Sequence, residues 1–347
     1  METEARALQP PSAEGRHWPA GDVFLPWTGP DARREGAGEL RADRLDLGTL
    51  GQLAGRVPLG AATHAALTRH APRGVVENLQ GSWQGALQQP AKYKVKGKVS
   101  GLQLAAAPAS VRDGHPVAAT PGLRNAALDF DLTESGGKAR LAMNGGALEL
   151  PGVFQDPMLA FDRLSGDVQW QVAGERISVN VSQLRFANAD AQGEAHATWR
   201  TGDQAAHRFP GVLDLQGTLS RANGARVWRY LPLEVPQDAR DYVRESVQQA
   251  EVGDARFRVR GDLKDFPFPK REGEFLVTAQ VKNANYAFAP RPLVRNGANP
   301  LPWPALSQLS GKLVFDRSSL RVDDAQARFT TAPNLRVNAS AQIADLS

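Results

Sequence analysis

The sequence predicts a mainly β protein: an elongated, curled antiparallel β-sheet built from tandem repeats, with two short helical inserts. Three observations carry that prediction. Apolar and polar residues alternate with period two over most of the chain, the mark of strands with one apolar and one wet face. Glycine-centred turn signals separate many of the alternating runs. One stretch is written twice: Ala91–Pro108 (AKYKVKGKVSGLQLAAAP) returns without a gap as Gly273–Pro290 (GEFLVTAQVKNANYAFAP). Tyr93 meets Phe275, Val95 meets Val277 and Val99 meets Val281, while Lys94, Lys96 and Lys98 fill the opposite phase.

Taken in order, residues 1–37 are rich in Pro, Gly and charge and read as a poorly defined segment, either loop or strand remnants. Gly38–Leu47 reads as a strand with a phase slip near Asp43. Two helical patterns follow, Leu47–Gly55 and Gly60–Ala71, broken at Val57-Pro58 because proline lacks the amide a helix interior needs. From Gly74 to about Arg200 strand follows strand: Leu128-Phe130-Leu132, Leu141-Met143, Leu148-Leu150, Val168-Trp170-Val172 and Ile177-Val179-Val181. Turns are predicted at Ser135-Gly136-Gly137, Asn144-Gly145-Gly146 and Ala173-Gly174-Glu175. After the strand Leu213–Leu219 the helical insert returns as Gly224–Leu231 and an amphipathic helix over Pro236–Ala250. Strands resume at Phe257-Val259, Phe275–Val281, Tyr286-Phe288, Leu313-Phe315, Leu320-Val322 and Leu335–Ile343, with Pro290–Pro304 as a loop.

The repeat includes the helices, since Arg56-Val57-Pro58-Leu59 matches Tyr230-Leu231-Pro232-Leu233. A second echo pairs Leu164–Trp170 (LSGDVQW) with Leu309–Phe315 (LSGKLVF). The expected organisation is residues 1–37, a first repeat over 38–220 with its insert at about 47–71, and a second over 221–347 with its insert at about 224–250. The N-terminus shows no basic-then-apolar signal pattern and the C-terminus stops in the middle of an alternating strand, so the chain reads as an interior piece of a longer one.

With 347 residues and 41% hydrophobic content, the chain can bury a core and does not read as disordered. Thirty-three glycines and 24 prolines suit many short strands. The net charge of +4 is mild and scattered, which reads as solvation first and weak attraction to an anionic membrane surface second. No basic run with interleaved aromatics argues for nucleic acid. The absence of cysteine excludes disulfides, thiolate nucleophiles and Cys-containing zinc sites. No apolar run approaches the ~20 residues of a membrane span.

No catalytic centre is legible. The histidines His17, His64, His70, His115, His196 and His207 form no i, i+4 pair and no metal-ligand spacing. Asp129 and Asp131 share the polar face of one strand, and Asp323-Asp324 reads as a turn; neither is a carboxylate pair converging across a cleft. No GxSxG, P-loop or GxGxxG occurs. No enzyme activity, cofactor or metal is therefore expected. The remaining signal is the long apolar face, which is either a self-buried core or an open groove holding something greasy.

Ala42–Gly60 (ADRLDLGTLGQLAGRVPLG), Ala71–Trp83 (APRGVVENLQGSW) and above all Arg226–Phe268, with WRYLP, ARDYV, ARFRVRGDL and FPF, resemble the central region of the YhdP proteins, large AsmA-like proteins of proteobacteria. The resemblance covers about residues 38–347. It implies an AsmA-like groove, periplasmic and belonging to a protein anchored in the inner membrane through parts outside this chain. It also implies a role in moving phospholipid between inner and outer membrane, with phospholipid acyl chains as the bound partner and no catalytic motif. The groove-lining candidates, assigned by alternation, are Val95, Val99, Phe130, Leu132, Val168, Trp170, Val179, Val277, Val281, Phe288, Leu313 and Phe315. The competing reading is a β-rich envelope scaffold or interaction module whose apolar face is buried within itself.

Overall fold

A computed structural model describes residues 23–29, 36–54, 61–86, 89–112, 115–117, 119–203, 208–288, 290 and 304–344. The elements are β1 (Val23–Phe24), β2 (Trp27–Thr28), β3 (Ala37–Asp46), α1 (Leu47–Ala54), α2 (Ala61–His70), β4 (Arg73–Ala86), β5 (Gln89–Leu104), β6 (Ser110–Arg112), β7 (His115–Val117), β8 (Gly122–Thr133) and β9 (Gly136–Glu149). They continue with β10 (Met158–Ala173), β11 (Arg176–Ala187), β12 (Ala191–Arg200), β13 (Val212–Asn223), a 3₁₀ turn (Gly224–Tyr230), α3 (Gln237–Ser246), β14 (Val247–Asp262), β15 (Glu274–Tyr286), β16 (Leu306–Asp316), β17 (Ser319–Phe329) and β18 (Ala332–Ile343). Sixteen strands form one antiparallel sheet that does not close, ordered β1-β3-β4-β5-β8-β9-β10 and then β11 to β18 in sequence, with β2 also on β3. The short β6–β7 hairpin stands off it.

The residues divide into two compact units. Unit 1 runs to Pro151 and adds Pro157–Val181; unit 2 is Gly152–Asp156 with Ser182 onward. This division, inside β11, differs in kind from the repeat boundary expected at 220/221, which follows the recurrence of the helical insert. In the element order α1 and α2 join β3 to β4, and the 3₁₀ turn and α3 join β13 to β14.

Register follows from charge as well as from apolar pattern. Across unit 1 the paired residues Arg44, Glu77, Lys98, Asp129, Arg140 and Asp167 form one row over six strands, β3 to β10, with the sign alternating at every step. Arg140 Nε lies 3.0 Å from Asp167 Oδ1. Each exposed pair is worth little alone, but a one-residue slip would put apolar residues in water along the whole row.

Several glycines and amides that look like turns in the sequence are bulges inside strands. Asn144-Gly145-Gly146 lies within β9, with Gly145 at φ 65°, and Asp323-Asp324 lies within β17, with Asp324 at φ 53°. Both turn expectations are thus corrected. Asn78, Asn125, Asp254, Asn283 and Gln308 repeat the device, with φ between 47° and 55°. The ladders shift register beside them, for instance between Glu77 and Gln80 and between Val281 and Ala284. Asn and Asp tolerate left-handed backbone because their short side chains bond locally; Asn125 Nδ2 donates to the carbonyls of Asn144 and Gly145. An extra residue reverses the in–out phase, so the apolar face changes parity without changing side. Opposite Asp43, where the sequence slips phase, the left-handed residue is Asn78 of β4, and the β3–β4 register runs on from Ala42–Leu79 to Arg44–Glu77.

The second helical pattern also needs correction. The helix ends at Ser246, and Val247–Ala250 opens β14 instead. Val247 pairs with Tyr286, so ladder hydrogen bonds and a β-branched residue win over local helical periodicity. Gly224–Tyr230 is a 3₁₀ rather than an α turn, capped by the Asn223 side chain, which accepts from the Ala225 N–H. Trp27 forms a strand on β3, which favours the strand-remnant reading for that part of the N-terminal segment. His17, His207 and most of the Pro290–Pro304 loop lie outside the described residues.

Candidate functional site

Directly opposed residues in a ladder share a face, so the registers define the lining row by row. In unit 1 one row runs Leu40, Gly81, Val95, Leu132, Gly137 and Trp170. The next holds Gly97, Phe130, Ala139 and Val168, and a third Leu45, Val76, Val99, Leu128, Leu141 and Gly166. No residue in these rows carries a charge or a side-chain polar group except the Trp170 indole N–H.

Unit 2 repeats the arrangement. One row is Ala195, Gly217, Phe257, Val277, Phe315, Leu320 and Ile343. Beside it lie Ala197, Leu215, Val259 and Phe275 on one side and Ala279, Leu313, Val322 and Ala341 on the other. Val281 continues the face opposite Val252 and Gly311.

Seven of the candidates expected to line a groove therefore stand on ladder rows of unit 1 or unit 2 beside one another: Val95 with Leu132 and Trp170, Phe130 with Val168, and Val277 with Phe315. Val99, Val281 and Leu313 occupy the adjoining rows. Val179 is half-buried between exposed Ser178 and Asn180 on β11. Phe288 stands apart, past the end of β15, 43% exposed and edge-on to Tyr286. Leu40, Leu128, Leu215, Phe257, Val259, Phe275, Leu320 and Val322 stand on the same rows and obey the same alternation, though they are absent from the sequence-based set. Phe266 and Phe268 carry no periodic signal. They fold back from the β14–β15 connection, Phe268 fully buried over Gly261 and Gly273, and Phe266 4.9 Å from Phe275 by ring centroids.

Exposure varies along this face: Leu45, Val76, Val99, Ala195 and Ala279 are buried, and much of the rest is not. Of the twelve candidates only Val99 is buried (7%); all the rest but Phe288 are half-buried. Among the described residues, the elements that rest substantially on the sheet are α1, against β3 and β4, and the 3₁₀ turn with α3, against β14. Glycines keep the lining flat where an aromatic lies across the neighbouring strand. A Cβ on Gly137 would come within 2.7 Å of the Trp170 ring, and one on Gly217 within 2.5 Å of Phe257 Cζ.

The insert of unit 2 is fastened by polar contacts. Arg229 bonds Asp190 Oδ2 at 2.7 Å and Asp156 Oδ2 at 2.8 Å. The Tyr230 hydroxyl donates to Asp190 and accepts from Asn188 Nδ2. The hydrogen bond to Asp156 and the charge of Asp190 raise the Arg229 pKa, and burial raises that of Tyr230. The hydroxyls of Tyr242 on α3 and Tyr286 on β15 lie 2.7 Å apart. Burial, then that hydrogen bond, pushes the Tyr286 pKa well above the ordinary value.

No group of three or more His, Asp or Glu that could hold a metal occurs among the described residues, and no described helix is long and apolar enough to cross a membrane. Asp129 and Asp131 lie on the wet face, near Lys98 and Lys94.

No solved structure shows a significant match. The chain is 25% identical over 326 residues to a protein of Escherichia coli (strain K12) named the intermembrane phospholipid transporter YhdP; the match covers 88% of this chain but 23% of that protein. The profile of the family described as YhdP protein matches residues 7–347, and the chain belongs to the YhdP family.

Proposed function

We propose that this chain is a segment of a periplasmic lipid-transfer conduit, its apolar sheet faces taking phospholipid acyl chains while the headgroups stay in water. The observation that supports the reading is the set of uncharged rows whose side chains are only half-buried, such as Phe130, Ala139 and Val168. A protein that needed this face only as core would have covered it. The name of the Escherichia coli relative points the same way.

Movement along such a face is passive. Each step exchanges apolar contact for equivalent contact, and a methylene lifted into water loses ~0.8 kcal/mol. The lining residues are the rows described above, including Val95, Leu132, Val168, Trp170, Val277, Leu313 and Phe315.

The test is native mass spectrometry with lipid extraction on the chain after expression in a bacterial periplasm. Phospholipid above trace stoichiometry, lost in Val168→Asp with unchanged circular dichroism, supports the conduit. A stably folded chain that holds no lipid and takes up no added fluorescent phospholipid favours the envelope scaffold.

A further inference from the structure

On the opposite face of unit 2 one row departs from the charge alternation that runs from Arg44 to Asp167 in unit 1. The row Thr198, Asp214, Arg260 and Glu274 alternates acid and base. Two rows further along, Arg256 is flanked on both sides by threonine, Thr218 on β13 and Thr278 on β15. Between these rows His196, Gln216, Arg258 and Leu276 are paired in register. A cavity of about 760 Å³ lies here, lined by the His196 and Arg256 rows, by the residues between them on β12 to β14, and by Gln183, Leu184 and Arg185 of β11.

The three guanidinium groups are not equivalent. Arg258 is held in place: its Nη1 donates to Gln216 Oε1 at 3.1 Å, its Nε lies 2.9 Å from Glu274, and Gln216 in turn meets His196 Nε2. Arg185 and Arg256 have no hydrogen bond or ion pair among the described residues, and neither do the Thr218 and Thr278 hydroxyls. Glu194, on the cavity wall, is the one acid in the Arg256 row, two strands away across Thr218, or about 10 Å at the usual strand spacing.

We propose that this cavity binds the phosphate group of a phosphorylated polyol. Planar guanidinium forks pair with phosphate oxygens two at a time, and flanking hydroxyls satisfy the oxygens that remain. Arg256 and Arg258 point to the same side, two residues apart on β14 and so about 7 Å apart at Cα. His196, Gln216 and Glu194 supply partners for polyol hydroxyls. The volume falls within the range of about 300–1,000 Å³ for small-molecule sites and leaves room beyond one phosphate. The side chains of Arg256 and Arg258 point away from the apolar rows, because they alternate with Phe257 along β14, although Ala195, Gly217 and Phe257 of those rows also border the cavity. The inference rests on this cluster of polar side chains and not on the conduit reading. The phosphate can belong to a soluble ester or to the headgroup of a lipid whose tails lie elsewhere.

The test titrates the full chain with glycerol 3-phosphate by calorimetry and, separately, measures co-sedimentation with phosphatidylglycerol and phosphatidylcholine vesicles. Saturable binding of glycerol 3-phosphate, weakened at least tenfold in Arg256→Gln and tightened in Glu194→Gln, establishes the site with a soluble source. Binding only to phosphatidylglycerol vesicles, weakened by the same Arg256→Gln change, establishes it with a headgroup source. Lys312→Gln removes a cation of the wet face outside the cavity and should leave both measurements unchanged. Should Arg256→Gln lose its native circular dichroism, Thr278→Val replaces it, with a weakening of at least threefold expected. Binding to neither probe, or equal weakening in Lys312→Gln, overturns the proposal.

Discussion

Placing a carboxylate on the apolar face separates an open lining from a closed core. Val168 is half-buried, opposite Ala139 and in line with Phe130. Full burial of a valine side chain is worth ~1.5–3 kcal/mol, so Val168→Asp on a face open to water costs the fold roughly 1 kcal/mol. An unpaired carboxylate sealed in a core costs several kcal/mol, enough to unfold a domain of ordinary stability. For a lipid the comparison reverses. An acyl chain passing the new carboxylate must cross one strand width, about 4.8 Å. Lifting roughly four methylenes from the lining costs ~3 kcal/mol, a slowing of about a hundredfold. Two assays are needed together: denaturant unfolding by circular dichroism and uptake of a fluorescent phospholipid. The expected outcome is a small shift in the unfolding midpoint with lipid uptake abolished; Phe315→Asp should repeat it in unit 2. Cooperative unfolding lost in both variants would refute the open face, and normal uptake by both folded variants would refute the lipid role.

Three further outcomes follow from named contacts. Arg229→Ala leaves the buried Asp190 carboxylate with the Tyr230 hydroxyl and, at 4.0 Å, Arg226, and should destabilise unit 2 by about 1–3 kcal/mol in urea unfolding, with part of that recovered in Arg229→Ala/Asp190→Asn. Because the Tyr286 pKa is raised in the folded state, its contribution is complete below the unfolded tyrosine pKa of about 10 and is lost as pH rises above it. Thermal melts should fall steeply above pH 10 in the native chain and less so in Tyr286→Phe. Gly137→Ala forces the Trp170 ring and the Leu132 Cβ aside and should cost about 1–3 kcal/mol, visible as a shift in tryptophan emission.

Much of the architecture is legible in the chain because each strand carries its own face in its own letters. Lys94, Lys96 and Lys98 against Val95, Gly97 and Val99 need no partner to declare which side is wet. The two inserts announce themselves through helical spacing and Pro58 or Pro232. The duplicated LSG motifs lie on β10, with Val168 and Trp170, and on β16, with Leu313 and Phe315, all on apolar rows. The same local rule misreads Asn144-Gly145-Gly146 and Asp323-Asp324 as turns, since a left-handed residue in a hairpin and one in a bulge look alike in sequence.

By itself the sequence determined the β class, the sites of the inserts, the absence of cysteine chemistry and the alternation of apolar and polar residues along the strands. Those properties reside in composition and short-range order. Only the tertiary structure decided which rows meet across strands, that helix gives way to strand at Val247, and that Phe268 seals over Gly261 and Gly273. It alone also showed that Arg256 faces threonines where Arg260, two rows along, faces acids. Those facts depend on register between residues tens of positions apart, and register is fixed by the sum of ladder hydrogen bonds, bulges and opposed charges across neighbouring strands.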